Sequence, residues 1–165
     1  MALLTSLYLC SRTVYAAVGT PTGSGARVVA AAQTELPEGC LINGVITNEA
    51  DLTAALKEFF TANKLPMNHV ALIAGGSQFM HRILTLPAMS EKKRMAVLSH
   101  ELASGGAEVR APLDDYMLLS RDAKTRTDTV LAARVEQSVI AGYDALAKAV
   151  GFKLYSIDLG LAAPI

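Results

Sequence analysis

The residues of this 165-residue chain best suited by type to metal or proton chemistry are His69, His81 and His100. Zinc held from one helix needs an HxxxH or HExxH spacing, and neither occurs; the three are read as surface or locally hydrogen-bonded histidines. Cys10 and Cys40 have no CxxC spacing and no companion histidine motif, so they are read as reduced core thiols. Asp114-Asp115 would suit paired-carboxylate catalysis, yet they follow Pro112 ahead of a strand-like run and are read as a solvated turn or cap. Ser99-His100-Glu101 unites three hydrolase residue types, but neighbours on a helix point to different faces. No G-x-S-x-G elbow accompanies them. Gly75-Gly76-Ser77 could offer backbone N–H groups to phosphate, but it precedes a strand and lacks the field of a helix N-terminus. It is read as a hairpin turn, as is Gly23-Ser24-Gly25.

Composition narrows the function classes. Apolar residues make up 52% and charged ones 18%, which excludes a disordered chain. The formal net charge is zero and no Lys/Arg stripe interleaves with aromatics, which argues against a nucleic-acid surface. No apolar run approaches the ~20 residues of a membrane-spanning helix. The apolar opening, Met1 to Cys10, lacks a basic region and leads through Ser11-Arg12-Thr13 into another strand-like run, unlike a secretory leader. A cytoplasmic protein with buried strands is expected.

The elements that must position any site follow from periodicity. Leu3 to Cys10, Thr13 to Val18 and Arg27 to Thr34 are strand-length apolar runs, the last two separated by a Pro/Gly turn. Cys40 to Ile46 reads as extended. Asn48 caps a helix whose Leu52, Ala55, Leu56, Phe59 and Phe60 recur at helical spacing. Strands are expected at Val70 to Ala74 and Phe79 to Leu86. Ser90 then caps a second helix with Met95, Leu98 and Leu102 inward; Lys92, Lys93 and Arg94 form its solvated face, or alternatively a small basic docking patch. Two more strands, Tyr116 to Arg121 and Thr129 to Arg134, lead to a third helix, Glu136 to Val150, closed by Gly151. Phe152 to Ile157 returns as a strand. The expected order is β-β-β-(β)-α-β-β-α-β-β-α-β, an α+β chain of at least two layers.

Two stretches carry a resemblance. One runs from Thr47-Asn48-Glu49 through His69-Val70-Ala71-Leu72-Ile73-Ala74-Gly75-Gly76-Ser77 to Arg82-Ile83-Leu84-Thr85-Leu86-Pro87-Ala88-Met89-Ser90-Glu91 and His100-Glu101-Leu102. The other comprises Val130-Leu131-Ala132-Ala133-Arg134, Ala149-Val150-Gly151-Phe152-Lys153 and Ser156-Ile157-Asp158. Their order resembles the PilM family of actin-like pilus-assembly proteins. The resemblance implies part of an actin-like subdomain (residues 1–45 plus 152–165) carrying an inserted FtsA/PilM-type α+β subdomain (residues 46–151). It also implies a cytoplasmic scaffold of type IV pilus machinery, recruited to the inner face of the cell membrane by the cytoplasmic tail of a PilN-like inner-membrane protein, alongside other pilus-assembly components.

Actin-like nucleotide sites begin with an Asp-x-Gly-(Ser/Thr) hairpin, in which the aspartate organises the metal's water shell and the glycine admits phosphate. The matching positions here are Tyr8, Leu9, Cys10 and Ser11, then Arg12 and Thr13. Only Ser11 and Thr13 remain as phosphate contacts, in a degenerate hairpin. The second phosphate hairpin and the adenine pocket would lie beyond Ile165. A fragment or a reduced relative is therefore expected, with no bound cofactor, no metal and no enzymatic activity. The alternatives are half of an ATP-binding actin-like protein and a degenerate GspL-like secretion component. An open sheet edge would allow a homodimer.

Overall fold

The computed structural model describes residues 3–23, 25–105 and 108–160. In chain order the elements are β1 (Leu4–Leu9), β2 (Thr13–Thr22), β3 (Gly25–Glu35), β4 (Leu41–Ile42), β5 (Val45–Ile46), α1 (Glu49–Ala62), β6 (Val70–Ala74), β7 (Met80–Pro87), α2 (Glu91–Ala103), β8 (Pro112–Asp122), β9 (Thr127–Glu136), α3 (Gln137–Val150) and β10 (Leu154–Leu159). They form two compact units, one from Met1–Gln78 with Ser138–Ile165, the other from Phe79–Gln137.

The first unit is built on a five-stranded sheet of order β10-β6-β1-β2-β3. β1, β2 and β3 form an antiparallel meander, while β1, β6 and β10 run parallel. Strand alternation sends Thr5, Leu7, Leu9, Val14, Ala16, Val18, Val70, Leu72 and Ala74 to one face, and all are buried. The steps β1 to β6 and β6 to β10 go the same way across the sheet, so right-handed crossovers place α1 and α3 together on one face. Their apolar stripes are Leu52, Leu56, Phe59 and Phe60 on α1, and Tyr143, Leu146, Ala147 and Val150 on α3.

Capping chemistry sets the helix limits. The Asn48 side-chain oxygen accepts from the Asp51 backbone N–H at 3.2 Å, as the sequence predicts for an N-cap. Gly151, at φ +100, ends α3 in the left-handed region, with its N–H donating to Ala147 O at 2.9 Å. Next to it Phe152 stacks on Phe60 with ring centroids 5.6 Å apart, tying the end of α3 to α1.

One sequence expectation is corrected at the residues before α1. Cys40 to Ile46 is no continuous strand but a small hairpin, β4 and β5, turning through Asn43 (φ +50) and Gly44 (φ +82). Both φ values are positive, as a type I′ turn demands, and Asn-Gly favours that turn. The second compact unit spans Phe79–Gln137, inside the residues 46–151 expected as an insertion. β6 hydrogen-bonds in parallel to β1 and β10, which keeps α1, β6 and α3 with the five-stranded sheet and leaves Phe79–Gln137 as the separate unit.

That second unit is a three-stranded antiparallel sheet, β7-β9-β8, with α2 on one face. Leu86, Leu98, Leu102, Val130 and Ala132 form its core, with Tyr116, Met80 and Leu84 packed against them. Arg94 does not join Lys92 and Lys93 in solvent. It is buried and reaches Asp128 at 2.5 Å and the Tyr116 hydroxyl at 2.9 Å. Asp114-Asp115 also lie within β8 and not in a turn; both Asp114 oxygens accept from Arg134, at 2.7 and 2.8 Å. A strand start at Pro112 accommodates the missing N–H of proline, so the chain extends earlier than its polarity suggests.

Candidate functional site

The parallel strands β1, β6 and β10 end in register at Leu9, Ala74 and Leu159. In open sheets of this kind ligands bind beyond the carboxyl ends of the parallel strands. Three small or turning positions follow: Cys10, Gly75 and Gly160. The Gly160 N–H donates to Ala74 O at 2.7 Å, which draws β10 closely over the end of β6.

The β1–β2 hairpin closes with Cys10 N–H donating to Thr13 O at 2.9 Å. Ser11 is exposed and Thr13 half-buried, and among the described residues neither hydroxyl makes a hydrogen bond. The position that resembles the metal-organising aspartate holds Tyr8. Its ring lies against the glycines at the strand ends: a Cβ at Gly160 would come within 2.9 Å of Tyr8 Cε2, and one at Gly75 within 3.8 Å of the Tyr8 hydroxyl. Tyr15, directly opposite in the register, stacks on Tyr8 with centroids 6.2 Å apart and planes 25° from parallel. A hydrogen bond with the Cys10 side chain, and then burial, raise the Tyr8 phenol above its ordinary value. The strand ends thus carry a neutral aromatic surface at Tyr8.

Beside the tyrosine pair, on the sheet face opposite the buried one, runs a groove of about 540 Å³. Ala17 and Ala31 contribute its floor, with Ser6, Tyr8, Tyr15 and Gln33 around them. No charged side chain lines it.

The other sequence candidates remain dispersed. His69 sits with its ring 6.3 Å from that of Tyr155, His81 is on β7 and His100 is exposed on α2. No group of three metal-ligating side chains gathers among the described residues. Cys40 is a buried free thiol, pushed up by burial, and Cys10 is free and half-buried. Gly76 is a turn residue at φ +134, while Ser24 of Gly23-Ser24-Gly25 lies outside the described residues. Ser99 and Glu101 offer main-chain carbonyls to Arg134 and Arg82, at 2.9 and 3.3 Å, and form no triad with His100.

Sequence reasoning missed the charge network of the second unit. Asp128 accepts from Arg121 Nε at 2.8 Å as well as from Arg94. The hydrogen bond from Arg121 is the main cause holding the Asp128 carboxyl below its usual range. That from Arg134 does the same for Asp114. These groups pair chiefly with one another, although the buried Arg94 Nε makes no hydrogen bond among the described residues, and breaking such a pair strands a charge.

No protein-family model and no curated protein matches the sequence. A chain of a solved PilM–PilN type IV pilus biogenesis complex does match in structure, with TM-score 0.80 and 18% identity over 96% of this chain. The match takes in 47% of that chain, so this protein spans about half its length. The α+β fold described above is therefore the fold of that part of the pilus protein. An exopolyphosphatase from Cytophaga hutchinsonii ATCC 33406 overlaps over 44% of this chain and 25% of its own, with TM-score 0.28 and 14% identity. No described helix is long and apolar enough to cross a membrane.

Proposed function

We propose that this chain is a scaffold module of type IV pilus machinery that grips the cytoplasmic tail of a PilN-like inner-membrane protein. The observation that carries the reading is the likeness over 96% of the chain to a protein solved in a PilM–PilN complex. The module works by binding and not by catalysis: Tyr8 lies against Gly160 at the strand ends, and a neutral ring cannot organise hydrated magnesium. It is cytoplasmic, and its partner holds it at the inner face of the membrane.

Calorimetric titration of the purified chain with a synthetic PilN-like amino-terminal tail should show micromolar-class binding. A flat titration removes the reading.

A second reading, half of an ATP-binding actin-like protein, draws on the exposed Ser11 and the half-buried Thr13 at the hairpin turn. Nucleotide binding by a longer product of the same reading frame, lost in Ser11→Ala and Thr13→Ala, would favour it over the scaffold.

A further inference from the structure

The second unit is unevenly charged along its length. The start of α2 and the β8–β9 hairpin meet at one end: the Ala88 N–H donates to Arg126 O at 2.8 Å, and Arg94 of α2 and Arg121 of β8 both reach Asp128. Arg94 is buried, so it leaves the basic run seen in the sequence, and the hairpin supplies cations in its place. Lys92, Lys93, Lys124 and Arg126 are exposed, and among the described residues none of the four has an ion pair. Asp122 turns its Oδ1 onto the N–H groups of Lys124 and Thr125, at 2.8 and 3.3 Å. With Glu91 included, six cationic side chains meet three carboxylates at this end, in a chain whose formal net charge is zero. The N-terminus of α2, where Ser90 makes no side-chain cap, adds its dipole to the same field. At the opposite end the ladder brings Asp114, Asp115 and Glu136 around Arg134, and the sign reverses.

We propose that this basic end of the second unit docks on an anionic phospholipid bilayer. Charge complementarity selects the occupant. The unpaired cations sit on long, solvated side chains spread over a helix start and a hairpin, which suits a plane of many fixed negative charges and not the point charge of one bound phosphate. The choice of a bilayer rests on the reading of the chain as a scaffold held at a membrane. Each Lys or Arg near such a surface raises partitioning by about fivefold. Four of them give reversible, salt-sensitive attachment and no anchor of their own, which suits a module whose hold on the membrane comes from a partner. The reversed sign at the far end is repelled by the same lipids, so the contact fixes which way the unit points.

The test is flotation of the whole purified chain with vesicles of phosphatidylcholine alone, or with about half of it replaced by phosphatidylglycerol, at low salt. The chain should float with the anionic vesicles only, and about 1 M salt should release it, because the Debye length is then about 3 Å. Lys92→Gln with Lys93→Gln should lower partitioning by about tenfold or more, and Lys124→Gln alone by about fivefold. All three lysines are exposed, so folding should survive, and circular dichroism checks it. Lys57→Gln with Lys153→Gln removes the same charge from the first unit and should change partitioning by less than about twofold. No flotation, equal flotation with neutral vesicles, or an equal loss in the first-unit pair overturns the proposal. So does release by inorganic phosphate at constant ionic strength, which would give the end to a free anion. Tighter binding of a uridine oligonucleotide with the same dependence on Lys92 and Lys93 would give it to nucleic acid, and also overturns the proposal. The vesicles contain no PilN-like tail, so failure here leaves the scaffold reading to its own titration, and a flat titration leaves the flotation result in place.

Discussion

Tyr8 and Gly160 are in van der Waals contact so close that a Cβ at Gly160 would stand 2.9 Å from Tyr8 Cε2. The same Cβ would lie 3.2 Å from Ile73 Cγ2 and 3.3 Å from Ala74 O, so the demand for glycine is steric. Gly160→Ala is expected to destabilise the first unit by about 1–3 kcal/mol, the usual cost of overpacking. In a Tyr8→Ala background the increment should shrink by at least about 0.5 kcal/mol, because the ring is the nearest obstacle. Urea denaturation of the four variants measures this. Strict additivity would show that Tyr8 is not what holds the strand ends closed.

A second glycine has a harder constraint. Gly76 adopts φ +134, and a Cβ there would meet Asn43 O at 2.3 Å. The obstacle is backbone, within the Asn43-Gly44 turn, and cannot rotate away. Gly76→Ala should cost more than about 2 kcal/mol, combining a forbidden φ with displacement of the turn. The readout is the urea midpoint against that of Gly23→Ala, where nothing within 4 Å opposes a Cβ.

The same turn depends on Tyr143, fully buried, whose hydroxyl donates to Gly44 O at 2.7 Å. Burial pushes its phenol up to about 12. The folded value exceeds the unfolded value of about 10, so the stabilisation is complete below pH ~10 and is lost as pH rises towards 12. Tyr143→Phe should lower neutral stability by about 1 kcal/mol through the lost hydrogen bond, and should reduce the decline in stability between pH 10 and 12. An unchanged alkaline slope would mean that another group ionises there.

Local patterns exposed much of this fold, and long-range pairing stayed hidden. The helix α1 was legible because Asn48, the acidic first turn and Leu52, Leu56, Phe59 and Phe60 all agree. Gly151 marked the end of α3 for the same reason. Asn43-Gly44 is an equally local turn signal, masked by the apolar run around it. The exchange between Asp128, Arg94 and Arg121 was not legible, since charge on an amphipathic helix reads as solvated whichever side chain meets it. The limits of the second unit follow from β6 pairing with β1 and β10, a matter of sheet topology and not of composition. At the site, Tyr8 and Tyr15 are equidistant from the Ser11-Arg12 turn, so a hairpin there forces them opposite each other. The closeness of the Tyr8 ring to Gly160 involves residues 152 positions apart, beyond any local signal.

The second unit should be the acid-sensitive part. Arg94–Asp128 ties α2 to β9, and Arg134–Asp114 ties β9 to β8, with Arg134 also donating to Ser99 O of α2. Both carboxyls are held below the usual range, Asp128 chiefly by the hydrogen bond from Arg121 and Asp114 chiefly by that from Arg134. A depressed folded value stabilises the protein above the unfolded value of about 4, and the contribution disappears as pH falls through the folded one. Asp114→Asn should therefore lower stability at pH 7 and flatten the dependence below pH ~4, with urea midpoints at pH 7, 4 and 3 as the measurement. Arg134→Met should be worse at neutral pH, by about 3 kcal/mol, because it leaves Asp114 charged beside an apolar stem. Acid should then narrow the gap between Arg134→Met and the wild type, since protonation removes the stranded charge. If the gap stays constant from pH 7 to pH 3, Asp114 carries no stranded charge in that variant and the Arg134–Asp114 pair is not what couples β9 to β8.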